Sequence, residues 1–243
     1  MAIAYDNSTY FKVGSATSIT QAHTVVGSDR ILFVYVYWNN SRTITHVKYN
    51  GVTMTAVGTE NDNGGGERSN LFYLIAPATG ENDVVVTLSG SSGIEGVASS
   101  YTGALQTAPI DVVRYEAAGL NTGTTYAEAL TTVADNTWVI WGTRDYSGGT
   151  VSAGANTALR AWNPSIFGAI LADSNAVVTP AGSRTLNLSN SISGNWYSDV
   201  LVSFKTAPVN IAKLKTEDTV TKAKLKTKNT AGVVTYKTAD TVV

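Results

Sequence analysis

The most apolar stretch of the chain runs from Arg30 to Trp38, where one arginine is followed by Ile-Leu-Phe-Val-Tyr-Val-Tyr-Trp. It is too short to cross a membrane as a helix, and most of it is β-branched or aromatic. Side chains alternate across a strand, so a strand that is apolar at every position needs cover on both faces. The pattern predicts a central strand with Ile31, Phe33, Tyr35 and Tyr37 on one face and Leu32, Val34, Val36 and Trp38 on the other. Around it the chain breaks into short alternating runs. A short strand over 3–5 and one over 18–26 come first, the second ending at Gly27-Ser28-Asp29. Runs over 43–49 and 52–57 then flank Asn50-Gly51, the pair favoured in a type I′ hairpin because both residues take positive φ. Further strands are predicted over 70–75, 84–88, 93–101 and 110–115, then over 124–133, 137–144, 166–171, 184–188 and 196–204. No window carries a capped 3.6-residue period. Many short strands at regular spacing predict an all-β chain, a jelly-roll-like antiparallel β-sandwich over residues 1–206.

The pattern changes after Ala207-Pro208. Lys215, Lys226 and Lys237 recur at an 11-residue period, each followed by threonine, and Tyr236 precedes the last of them. Seven lysines stand against three carboxylates beyond residue 208, so this tail is about +4 and the rest of the chain about −5. Its threonine content favours strand over helix. Short strands in isolation bury too little to be stable, so a partner has to cover them. Residues 207–243 are therefore expected to be a small β-repeat appendage for attachment or oligomerisation, through Lys215, Lys226, Lys237 and Tyr236. A homo-oligomer is expected, with a trimer favoured.

Little in the chain points to catalysis. It has two histidines, His23 and His46, each inside a predicted strand, and no cysteine. No G-x-S-x-G elbow, P-loop or H-E-x-x-H is present, so neither an enzyme nor a bound cofactor is expected. Asn61-Asp62-Asn63 with Glu67 offers oxygen ligands that suit calcium but lacks the helix-loop-helix spacing, and reads as a hairpin loop. A net charge of −1 gives no footprint for nucleic acid, and no apolar run is long enough for a membrane span. Trp138 and Trp141 fall on opposite faces of one strand, which assigns one of them to a core. Trp162, beside Asn163-Pro164, and Trp196, after Gly194-Asn195, lie near turns and are the candidates for stacking on a glycan. Met1 to Asp6 lacks the basic and apolar regions of a secretory signal, so assembly in a host cytoplasm is expected.

Several runs carry a likeness to known proteins. They are Thr24-Val-Val-Gly-Ser-Asp-Arg30-Ile-Leu-Phe-Val34, Val47-Lys-Tyr-Asn-Gly51-Val-Thr-Met-Thr55, Leu71-Phe-Tyr-Leu-Ile-Ala-Pro77-Ala-Thr-Gly80, and Ser100-Tyr-Thr-Gly103 with Ala108-Pro-Ile-Asp111. Over residues 18–112 this order resembles β-sandwich modules of bacteriophage particle proteins and bacterial surface proteins. The resemblance implies a virion structural protein on capsid or tail, with other virion proteins as partners. A carbohydrate-binding host-adhesion module is the alternative. The group shares no catalytic residues to carry over, and the C-terminal repeat lies outside the likeness.

Overall fold

The computed structural model describes residues 2–39, 42–62, 66–116, 121–146, 148–163 and 168–208, and two dipeptides at 227–228 and 234–235. The chain divides into two compact units, Met1–Ala207 and Pro208–Val243. In the larger unit the described residues form strands, turns and loops without a helix, and every strand pairing is antiparallel. The fold is all-β, as the alternation predicts.

One sheet contains β1 (Ala4–Val25), β2 (Ile31–Asn39), β3 (Ile44–Tyr49), β4 (Val52–Thr53), β5 (Thr55–Ala56), β6 (Asn61–Asp62), β7 (Glu67–Ile75) and β8 (Gly80–Thr102). The apolar run is β2, held between β7 and β8. Every residue from Ile31 to Trp38 is at most 1 % exposed, which is why both of its faces are apolar. Asn50 and Gly51, at φ 48° and 75°, make the hairpin turn as expected.

Several boundaries differ from the sequence reading. The runs at 3–5 and 18–26 belong to one 22-residue strand, those at 84–88 and 93–101 to one 23-residue strand, and those at 184–188 and 196–204 to another of 23 residues, while the run at 52–57 is divided into two strands of two residues. Bulges between Val13 and Ser18 bend the β1–β8 ribbon without ending its pairing. The ribbon folds back on itself, so that Asn7 Nδ2 donates to the Thr24 carbonyl at 3.1 Å. Inside the fold lies a core of Phe11, Trp38, Tyr49, Phe72, Val86 and their neighbours.

The second sheet repeats this plan. It holds β9 (Ile110–Glu116), β10 (Asn121–Thr131), β11 (Thr137–Asp145), β12 (Val151–Ala153), β13 (Ala158–Ala161), β14 (Gly168–Asp173) and β15 (Ser183–Lys205). β9 and β10 together pair with β15 as β1 does with β8; β11 pairs with β15 and β14 as β2 does with β8 and β7. β12 and β13 take the places of β3 and β5. The repetition reaches individual side chains. Asp6 and Asp111 each sit in a bulge at the start of the first strand. Asp6 accepts from Val26 N at 3.0 Å and Ser100 Oγ at 2.7 Å, and Asp111 accepts from Val133 N and Ser203 Oγ, both at 3.0 Å. Each aspartate thereby ties the first turn of its half to the last strand. Asp29 and Asn136 occupy matching positive-φ positions in those turns.

The halves stack through a third core, to which both contribute: Phe33, Tyr35, Tyr37 and Tyr101 from one, Trp138, Ile140, Val202 and Phe204 from the other. Counterparts meet one another across it. The Tyr101 and Phe204 rings lie 5.5 Å apart, and Arg144 Nη1 donates to Tyr37 Oη at 2.6 Å. Residues meeting their own equivalents mark an approximate twofold axis along β2 and β11, the arrangement of a symmetric dimer within one chain. In the smaller unit β16 (Thr227–Lys228) pairs antiparallel with β17 (Val234–Thr235). Lys215, Lys226, Tyr236 and Lys237 lie outside the described residues.

Candidate functional site

The seam between the halves gathers most of the buried charge, and each group there is engaged. Asp173, fully buried, accepts from Arg160 Nε at 2.6 Å and Nη2 at 2.9 Å, from Tyr101 Oη at 2.8 Å and from Asn175 N at 2.8 Å. Burial, then the Asp173 charge, push the Tyr101 phenol well above its ordinary pKa. Glu95 holds Lys12 Nζ at 3.0 Å and accepts from Ala169 N of the other half at 3.2 Å. Arg144 reaches Glu67 at 3.2 Å with its guanidinium 3.7 Å from the Tyr37 ring centroid. Away from the seam, in the core of the second half, Asp199 accepts from Tyr126 Oη and from Trp141 Nε1. Buried carboxylates committed in this way, Glu95 and Asp173 across the seam and Asp199 within the second half, hold the packing together; an acid or base for turnover needs a proton it can exchange with a substrate.

His23 and Ser100 lie together with Asp6, yet not in the order of a hydrolytic triad. Ser100 gives its proton to Asp6, so it accepts from His23 Nε2 at 3.2 Å, and Thr9 Oγ1 donates to Nδ1 at 2.9 Å. A triad requires the imidazole between hydroxyl and carboxylate. Burial holds the imidazole neutral, lowering its pKa from 6.5 to about 4 against the pull of Asp6. Between those values the unfolded chain carries a proton that the folded one lacks. Stability therefore falls as pH drops through that window, by up to about 3 kcal/mol. Urea unfolding at about pH 7 and about pH 4.5 should show that loss, and His23→Gln should flatten it. An equally steep loss in His23→Gln would assign the acid sensitivity to other groups.

Of the two candidate stacking residues, Trp162 is half-buried and packs against the core of the second half. Trp196 lies opposite Asp145 in the β11–β15 register, and its side chain is outside the described residues. Gly168 also pairs with Asp145, and a Cβ on Gly168 would lie 3.5 Å from Trp162 Cδ1. The register thus brings both tryptophan positions to one end of the second half. Trp138 and Trp141 do face opposite ways, but both are buried, Trp138 in the shared core and Trp141 in that of the second half. In the calcium-like loop, Asn61 Nδ2 donates to the Asp199 carbonyl at 3.3 Å and Glu67 is paired with Arg144; Asn63 is outside the described residues. Among the described residues no three His, Cys, Asp or Glu groups cluster to hold a metal.

The first half carries a concavity that the sequence reading did not find. β4 and β5 are two residues each and stand on opposite sides, at the edges of β3 and β7, leaving a groove of about 260 Å³ between them. Trp38, Met54 and Phe72 form its floor, and Thr45, His46, Thr53, Glu60 and Asn70 its polar lining. Apolar clefts with a few convergent polar groups are the usual form of a small-ligand site. His46 was legible only as a strand residue, because what brings it to Asn70 is the folding of the ribbon. The chain matches no protein-family model, no curated protein and no solved structure.

Proposed function

We propose that the chain is a non-enzymatic structural protein displayed on the surface of a bacteriophage particle, on capsid or tail. It is anchored or oligomerised through residues 207–243. One observation carries the non-enzymatic part: the buried carboxylates Glu95, Asp173 and Asp199 are bound internally, the first two in a seam that locks two copies of one sandwich together. The charge contrast between an acidic body and a basic, repetitive tail supports oligomerisation by opposite charges. Sedimentation of the full chain should show an oligomer, with a trimer expected, at about 0.05 M salt. That species should dissociate at about 1 M, where the screening length falls to roughly 3 Å. An oligomer that persists at high salt would overturn the electrostatic contact, and a monomer at both salts would overturn the oligomer.

A carbohydrate-binding host-adhesion module is the second reading. The convergence of Trp162 and Trp196 on one end of the second half favours it. Loss of glycan binding in Trp162→Ala at unchanged thermal stability would promote it to first.

A further inference from the structure

We propose that the groove between β3 and β7 in the first half binds a single neutral sugar residue. The inference goes beyond the particle-surface reading and depends neither on it nor on Trp162 and Trp196.

The first ground is an amide donor on a mostly buried side chain, without a partner among the described residues. Asn70 is 5 % exposed; its Oδ1 accepts from Leu71 N at 2.8 Å, and its Nδ2 has no partner among the described residues. His46, Thr45 and Thr53 line the same groove, and their side chains are likewise without a hydrogen-bond partner among the described residues.

The second ground is the repeat itself. In the second half the position of Asn70 is taken by Ile170 and that of Ala56 by Leu159. Both pack in the core of that half. One fold thus exists twice in the chain, once with this region filled by aliphatic side chains and once with it open and lined by polar groups. The fold therefore does not need an asparagine at position 70 for stability.

The chemistry of the lining selects the ligand. The one carboxylate, Glu60, is already paired with Arg68, so the groove offers no free charge to a phosphate or an ammonium. It offers a two-proton amide donor, an imidazole and two hydroxyls that both give and accept, above the apolar floor of Met54 and Phe72. Adjacent hydroxyls around a ring with C–H faces satisfy such a set. The volume is below the roughly 300–1,000 Å³ of clefts that take drug-sized ligands, which limits the occupant to one ring.

The test is nuclear magnetic resonance of the full chain, isotope-labelled, titrated separately with glucose, galactose, N-acetylglucosamine, sodium phosphate and sodium acetate. The expected result is a saturable shift of the Asn70 side-chain amide and the His46 ring with at least one neutral sugar. Thr53→Val, an exposed and near-isosteric change, should weaken that binding roughly fivefold, as expected for one lost hydrogen bond. Its remaining spectrum should stay unchanged, so a folding defect is distinguishable. Absence of a saturable shift with all three sugars would overturn the proposal. So would a sugar response confined to residues outside the groove, or saturation by phosphate or acetate alone.

Discussion

Replacing Asp173 with alanine is expected to destabilise the larger unit by about 3–5 kcal/mol, the cost of removing one partner from a buried ion pair. The carboxylate is fully buried and receives the Arg160 fork, the Tyr101 hydroxyl and a backbone amide. Alanine would leave a guanidinium and a phenol facing each other across the seam with no anion between them. The Tyr5 ring, 4.1 Å from the Arg160 guanidinium, attracts the cation but accepts no hydrogen bond in the carboxylate's place. Asp173→Asn should cost less, because it keeps one acceptor for Tyr101 or Arg160. Denaturant unfolding of the three proteins reads the series. Equal losses in the alanine and asparagine variants would show that the pair's charge, not its geometry, carries the stability.

Gly142→Ala is expected to cost about 2–3 kcal/mol, although alanine suits a strand at least as well as glycine does. A Cβ at Gly142 would lie 2.7 Å from Tyr35 Cγ. Tyr35 is fully buried and cannot swing aside, so the added methyl overpacks the seam. The two residues occupy equivalent places in the two halves, where an exact repeat would put two large side chains on the axis. Glycine on one strand makes room for tyrosine on the other. Tyr35→Leu in the Gly142→Ala background should recover part of the loss, a coupling that thermal melts of the four proteins would measure. Strictly additive losses would show that the methyl is accommodated elsewhere.

The sequence was most informative where one strand's environment decides its residues. Ile31–Trp38 announced both of its faces, and Asn50-Gly51 its turn, because period-2 burial and positive φ leave local marks. The long strands were read as fragments because a bulge interrupts alternation without interrupting pairing, as between Val13 and Ser18. The repeat went unseen for a related reason. Asp6 and Asp111, Tyr10 and Tyr115, Val26 and Val133, Ser100 and Ser203 are identical pairs, but their separations drift, so no fixed period aligns them. Asn70 and His46 carry no motif, and what they have in common is a groove that forms only when the ribbon bends.

The internal twofold also sets an order of events during synthesis. Strands β1 to β8 complete a sheet by residue 102, so the first half can close its own core while the second is still being made. Until β15 follows at residue 205, the face bearing Phe33, Tyr35 and Tyr37 has no cover. That face is shaped for a copy of the same topology, and a neighbouring nascent chain offers one. Crowded translation should therefore yield chains joined first half to first half, a misassembly that slow expression at low temperature avoids.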